Sequence, residues 1–213
     1  MKKIFAVSFL LTGFLLSASS QLTSIKGFCG LYYKNMESLR KQQGSALAFY
    51  NFLPGQVVGS IGAQCCHWEA AYASTVDSVR FYLEDIDSSY FNIRQANFAW
   101  KYYDSIRGKP MTSKYQLVLG DEKQTQLPEK SFDKILIINS FHEFSYQKEM
   151  LADIRNKLKP GGILYIDEML AKKSGELHGV CKKRIYLPEE LIEILNRSGF
   201  QFVDALDLQF RKN

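Results

Sequence analysis

Apolar and polar positions alternate along the chain in a way that predicts strands and helices in turn. The clearest strand lies in Ser131–Phe144, SFDKILIINSFHEF, where Ile135, Leu136, Ile137 and Ile138 follow Phe132 in an unbroken apolar run. A short run of this kind predicts a strand buried on both faces, as in a parallel sheet covered by helices. Gln56–Gly62, Val79–Leu83, Tyr115–Leu119 and Ile163–Ile166 repeat the signal, and Phe200–Leu208 adds a possible last strand. Between them, apolar residues recur at helical spacing in Ala63–Thr75, Ser89–Ile106, Tyr146–Leu158 and Pro188–Ser198. Asn35–Asn51 predicts a further helix ahead of the first strand. Lys159-Pro160-Gly161-Gly162 is expected to stop the helix before it. Pro188 and Gly199 bracket the last helix in the usual order.

This alternation predicts an α/β fold: a doubly wound, Rossmann-like, mostly parallel sheet with helices on both faces, in a single domain with right-handed crossovers. The expected organisation is 1–20 as a removable leader, 21–52 as a helical lead-in and 53–213 as the α/β domain. Lys2 and Lys3, the apolar stretch Ile4–Leu16 and the small residues Ala18-Ser19-Ser20 read as a secretory signal peptide, with Gln21 as the mature N-terminus. The expected location is therefore periplasmic or secreted, with no stable membrane span once the leader is gone. Hydrophobic residues make up 46% and charged residues 23%, which is globular rather than disordered. The net charge of +5 falls to 5 − 2 = +3 once Lys2 and Lys3 leave with the leader, too mild to predict nucleic acid as a partner. Four cysteines (Cys29, Cys65, Cys66, Cys181) leave the disulfide pairing open, and Cys65-Cys66-His67 lacks zinc-ligand spacing, so no metal is expected.

Open parallel sheets bind ligands outside the carboxyl ends of their strands. Those ends carry the chemistry here. Gly62 closes the first strand; the second ends in Glu84 and Asp85, and Asp85 follows Gly62 at close to the roughly 20-residue spacing of ribose-binding acids. Gly120-Asp121-Glu122 close the third, and Asn139, Ser140, His142 and Glu143 the fourth. An acid after the second strand can accept from ribose hydroxyls, and one after the third from an adenine amino group. The set describes a nucleoside site without a pyrophosphate clamp. No G-x-G-x-x-G turn supports a nicotinamide-linked oxidoreductase.

In order and spacing, LPGQVV (53–58), Gly120-Asp121, Leu127-Pro128, Ser131–Phe144 and KLKPGGILYI (157–166) resemble the class I S-adenosylmethionine-dependent methyltransferases of the type 11-like group. The resemblance implies S-adenosylmethionine as cofactor and transfer of its methyl group to an acceptor the sequence does not name. It implies that Gly62 and Ala63 lie under the methionine moiety. Asp85 would hold the ribose, Asp121 with Glu122 the adenine, and Asn139 and Ser140 would sit beside the sulfonium. His142, Glu143 and His178 are the candidates for a base. The family's glycine motif starts with an acid and runs Gly-x-Gly-x-Gly. This chain has Ser60, Gln64 and Cys66 at three of those four positions and keeps only Gly62, so it resembles a secreted variant with a degenerate motif. Two readings follow. Either the site binds the cofactor, with Gln64 or Glu69 taking over contacts, or the fold persists as a non-catalytic module for a nucleoside-like ligand or a protein partner.

Overall fold

The structure, a computed structural model, describes residues 3–9 and 33–207. Along them run β1 (Lys3–Phe9), α1 (Met36–Tyr50), β2 (Val57–Ile61), α2 (His67–Ala73), β3 (Arg80–Asp85) and α3 (Ile93–Arg107). Then come β4 (Lys114–Leu119), β5 (Phe132–Ile138), α4 (Gln147–Lys157), β6 (Leu158–Glu168), α5 (Pro188–Arg197) and β7 (Phe200–Asp207). A single 3-10 turn, Phe141–Glu143, follows β5. The strands form one sheet in the order β4-β3-β2-β5-β6-β1-β7, and each neighbouring pair runs parallel. This is the expected doubly wound, Rossmann-like fold in one domain.

The period of two along β5 divides the core. Leu136 packs with Tyr50, Tyr72, Phe81 and Ala96 under α1, α2 and α3. Ile135 and Ile137, on the opposite side, pack with Leu151, Ile154, Leu191 and Leu195 of α4 and α5. All three β5 residues are fully buried, which is why the run reads as continuously apolar.

α1 is set by its ends. The Asn35 side chain accepts from the Ser38 N–H at 2.8 Å, and Asn51 takes the left-handed conformation that stops the helix. Lys134, buried under the far end, donates to the carbonyl of Tyr50 at 2.6 Å and to that of Asn51. A cation there meets the negative end of the helix dipole. Tyr50 then reaches 2.7 Å to Asp167 Oδ2 at the end of β6, so α1 is a packed layer of the core.

Two elements differ from the expectation. KLKPGG ends α4, but the chain enters β6 at once: Leu158 pairs with Phe132, and the register slips before Lys134 meets Ile163. Pro160 cannot continue a helix, and Gly161 at φ 78° gives the slack that a bulge requires. The second is β1. Lys3–Phe9, inside the segment read as a leader, lies between β6 and β7 and pairs with both. The expected cleavage point after Ser20 lies outside the described residues. Among the described residues no helix is long and apolar enough to cross a membrane.

Candidate functional site

The chain leaves β2 toward β3 and β4 on one side, and β5 takes the place on the other side of β2. Connections that diverge in this way open a crevice over the carboxyl ends of the two central strands. A cavity of about 140 Å³ lies there. Gly62 from the end of β2, Glu84 from β3, Asp121 and Glu122 after β4, and Ser140 and Glu143 after β5 line it, with Ile61, Phe144 and Met150 as apolar wall. Pockets that enclose a drug-sized ligand start at about 300 Å³, so the hollow as it stands holds part of a nucleoside and the remainder lies toward solvent.

Five of the seven cofactor positions expected from sequence converge on this rim in some form. Gly62 sits at φ 74°, and a Cβ on it would come within 2.5 Å of Ser140 Oγ. Ser140 in turn donates to the Ile61 carbonyl at 3.1 Å, so the two residues close one wall. Asp121 and Glu122 are exposed and line the cavity as well. The Asp121 carboxylate accepts the N–H groups of Lys123 (2.8 Å) and Gln124 (2.9 Å), which hold it below the ordinary carboxylate range. Asp85 reaches the rim at the end of β3 but does not line the cavity. Its carboxylate accepts from the N–H of Gln64 at 2.8 Å and of Asp87 at 2.9 Å. The remaining two lie aside. Ala63 is buried and donates its N–H to the Glu84 carbonyl. Asn139 is exposed, turns the chain at φ 50° and does not face the cavity.

Gln64 is exposed and stays out of the cavity. Its side chain therefore does not fill the space that a glycine at that position leaves free. The acid missing at Ser60 is restored from elsewhere. Glu69 of α2 is buried with its Oε1 2.6 Å from Ser60 Oγ, and burial pushes its carboxyl up to about 7.

Glu84 is the site residue that the sequence reading passed over in favour of its neighbour. It is 1% exposed and lines the cavity. Burial, reinforced by the charge of Asp85, pushes its carboxyl up to about 9, against the pull of a hydrogen bond from the Gly62 backbone. Its Oε1 has no hydrogen-bond partner. Gly120 leaves room for it: a Cβ there would lie 1.8 Å from Glu84 Oε1. At neutral pH this is a protonated, buried carboxyl group with hydrogen-bonding capacity to spare, the state in which a binding site waits for a polar ligand.

The candidate bases separate. Glu143 is exposed and lines the cavity. His142 is buried behind it and does not. Its Nδ1 lies 2.8 Å from Glu168 Oε1, and its N–H donates to Glu168 Oε2 at 3.1 Å. Burial alone would lower its pKa; the Glu168 carboxylate, helped by Cys181, outweighs that and holds it above the ordinary value. His178 stands on a loop with its ring centroid 4.6 Å from that of His142.

Comparison with known proteins bears on the fold that carries this crevice. A family model described as "Methyltransferase domain" matches residues 72–166, from α2 through β6. No curated protein matches the chain. Among solved structures, an S-adenosylmethionine-dependent methyltransferase from Aquifex aeolicus is similar at 17% identity and TM-score 0.57, covering 78% of this chain and 89% of its own. A phosphoethanolamine N-methyltransferase from Haemonchus contortus, solved with S-adenosylhomocysteine, is similar at 16% identity and TM-score 0.55, covering 78% of this chain and 38% of its own. The [4+2]-cyclase SpnF is similar at 20% identity and TM-score 0.55, covering 77% of this chain and 55% of its own. At these identities the likeness establishes the fold.

Proposed function

We propose that the chain is an S-adenosylmethionine-dependent methyltransferase whose cofactor lies across the carboxyl ends of β2, β3, β4 and β5. One observation carries the reading. Glu84 lines a cavity at the topological switch point with its buried Oε1 unsatisfied. The residues fit the cofactor: a positive-φ glycine brings main chain to the cavity edge, acids from three strand ends face one hollow, and an orphaned polar atom awaits a partner. The match of residues 72–166 to a methyltransferase domain supports the same choice over a non-catalytic module. When bound, S-adenosylmethionine supplies an electrophilic methyl group on a sulfonium.

The chain's own part is to position and to exclude water, since methyl transfer is an in-line displacement that gains chiefly from orientation. Gly62 and Ser140 form the wall nearest the reacting end. Glu84 supplies the buried polar contact. Asp121 and Glu122 face the outer part of the ligand, and Asp85 fixes the Gln64 turn that borders it. The Glu143 carboxylate, exposed at the cavity, accepts a proton from the incoming acceptor, with His142 standing 3.7 Å behind it. The acceptor enters past Glu143 and Phe144.

Export belongs to the same proposal. The basic and apolar start of the chain supports it, and Cys65 is disulfide-bonded, as an oxidising compartment allows. Removal of residues 1–20 would take away β1, the strand that pairs with both β6 and β7. The intact mass of protein recovered from cells decides between a chain starting at Met1 and one starting at Gln21.

The binding test is a titration of the full chain with S-adenosylmethionine and with S-adenosylhomocysteine. A ligand at one hundred times its Kd stabilises by about 2.7 kcal/mol, which at this chain length raises Tm by about 5–10 °C. No shift with either at millimolar concentration overturns the reading.

A further inference from the structure

Behind the cavity, the 3-10 turn after β5 meets the loop between β6 and α5. His142, His178 and Cys181 each present a ligand atom there, and the three atoms lie within 4.8 Å of one another. The loop is shaped for this. Leu177 and Arg184 form an antiparallel bridge, the His178 N–H donates to the Lys183 carbonyl at 2.8 Å, and Lys182 turns the chain at φ 59°. That tight turn sets both of its ligands on one side, with His178 Nδ1 3.1 Å from Cys181 Sγ. Cys181 is a free thiol.

His142 is oriented as a metal-ligating histidine is. Its Nδ1 is committed to the fully buried Glu168 carboxylate, which also takes the N–H groups of His142 and Met169. That fixes the tautomer and leaves Nε2 as the outward lone pair, the carboxylate–histidine arrangement that raises a ligand's basicity. Nε2 is buried and faces the Cys181 thiol rather than a nitrogen or oxygen partner. An S–H group is a weak donor, so a buried imidazole lone pair there gains from a stronger partner.

We propose that His142 Nε2, His178 and Cys181 bind a zinc-type divalent cation, with the fourth position open toward Glu143. Two imidazoles and a thiolate suit zinc among the common cations, and three protein ligands with one open position is the pattern of catalytic rather than structural zinc. Ligand atoms at Zn–N of about 2.0–2.1 Å and Zn–S of about 2.3 Å stand about 3.5 Å apart in a tetrahedron. The 3.1 Å separation within the loop and the 4.8 Å limit on the cluster bracket that spacing, so closure needs only small side-chain movements. Glu143 Oε1, 3.7 Å from His142 Nε2, also lines the cavity, so the open position borders the place where a methyl acceptor would stand. A metal there would favour an acceptor that ligates it, a thiol or another anionic group. Binding of the ion itself does not depend on the methyltransferase reading.

The experiment uses the full chain, stripped with a chelator and titrated with Zn²⁺ alone against a chromophoric competitor. In parallel, Co²⁺ is added and the near-ultraviolet thiolate-to-cobalt band is recorded. One ion per chain and a charge-transfer band are expected. Cys181→Ser should abolish the band, and Cys181→Ser or His178→Ala should weaken Zn²⁺ at least about 100-fold. Both positions lie on a partly exposed loop, so both variants should keep the parent's circular dichroism spectrum. Glu168→Gln should weaken Zn²⁺ by about 10- to 100-fold while keeping the band, because it loosens a ligand without removing one. Absence of the band, no stoichiometric Zn²⁺, or a Cys181→Ser/His178→Ala double variant within about threefold of the parent overturns the inference. Failure to bind S-adenosylmethionine leaves each of these readouts unchanged.

Discussion

Glu84→Gln is the substitution for which the structure makes the sharpest energetic statement. The carboxyl is buried and titrates at about 9 in the folded protein, against an ordinary value of 4.5. The folded state therefore holds a proton that the unfolded state releases, and stability falls as pH rises wherever the folded state binds more protons. The favourable contribution of the protonated group is complete below about 4.5, declines through the interval and is gone above about 9. At pH 7 the unfolded chain has gained 2.5 pH units of ionisation that the folded chain has not, worth about 3 kcal/mol at 1.36 kcal/mol per unit. Gln keeps the size and polarity and has no proton to lose. Glu84→Gln should thus be more stable than the parent by about 3 kcal/mol at pH 7, by more at pH 9, and by about nothing at pH 4.5. Urea denaturation at half-unit steps from pH 4.5 to 9 gives the difference curve. Working with the difference cancels the similar pH dependence of Glu69 and Asp167, whose carboxyls are each pushed up to about 7. A difference that stays flat from pH 5 to 9 would show that Glu84 is ionised in the folded protein, and the orphaned-carboxyl argument would fall with it.

Gly120→Ala should destabilise by about 1–3 kcal/mol through overpacking, since its Cβ would lie 1.8 Å from Glu84 Oε1, and adding Glu84→Ala should recover part of the loss by thermal melting. Tyr50→Phe removes the 2.7 Å hydrogen bond to Asp167 and should cost about 1–3 kcal/mol. That bond favours the ionised carboxylate, so the cost should be larger at pH 8 than at pH 5, where Asp167 is protonated either way; an equal loss at both would refute it. Lys134→Met strands the Tyr50 and Asn51 carbonyls at the end of α1 and should cost about 1–3 kcal/mol, with the loss read by chemical denaturation and α1 amides exchanging faster than those of α3.

Period and punctuation were enough to write most of the fold from the chain alone. The apolar run at 135–138 announced a strand buried on both faces, Asn35 and Asn51 bounded α1, and Pro188 with Gly199 bounded α5, because these signals act within a few residues. The strand ends that carry acids were legible for the same reason. Which of two adjacent acids turns inward was not: Glu84 and Asp85 project to opposite sides of one strand, and only the tertiary structure puts the cavity on the Glu84 side, where Gly120 leaves it room. The carboxyl that Glu69 returns to Ser60, and the meeting of His142 with His178 and Cys181, come from segments brought together by the sheet. The i, i+3 spacing of His178 and Cys181 can be read along the chain, but nothing in it brings His142 to them or Glu69 to Ser60. So too with Lys3–Phe9, whose place between β6 and β7 comes from long-range pairing that a leader-like composition does not announce. Local chemistry thus chose the elements, while long-range contacts, formed only when the layers close, chose which side chains share a site.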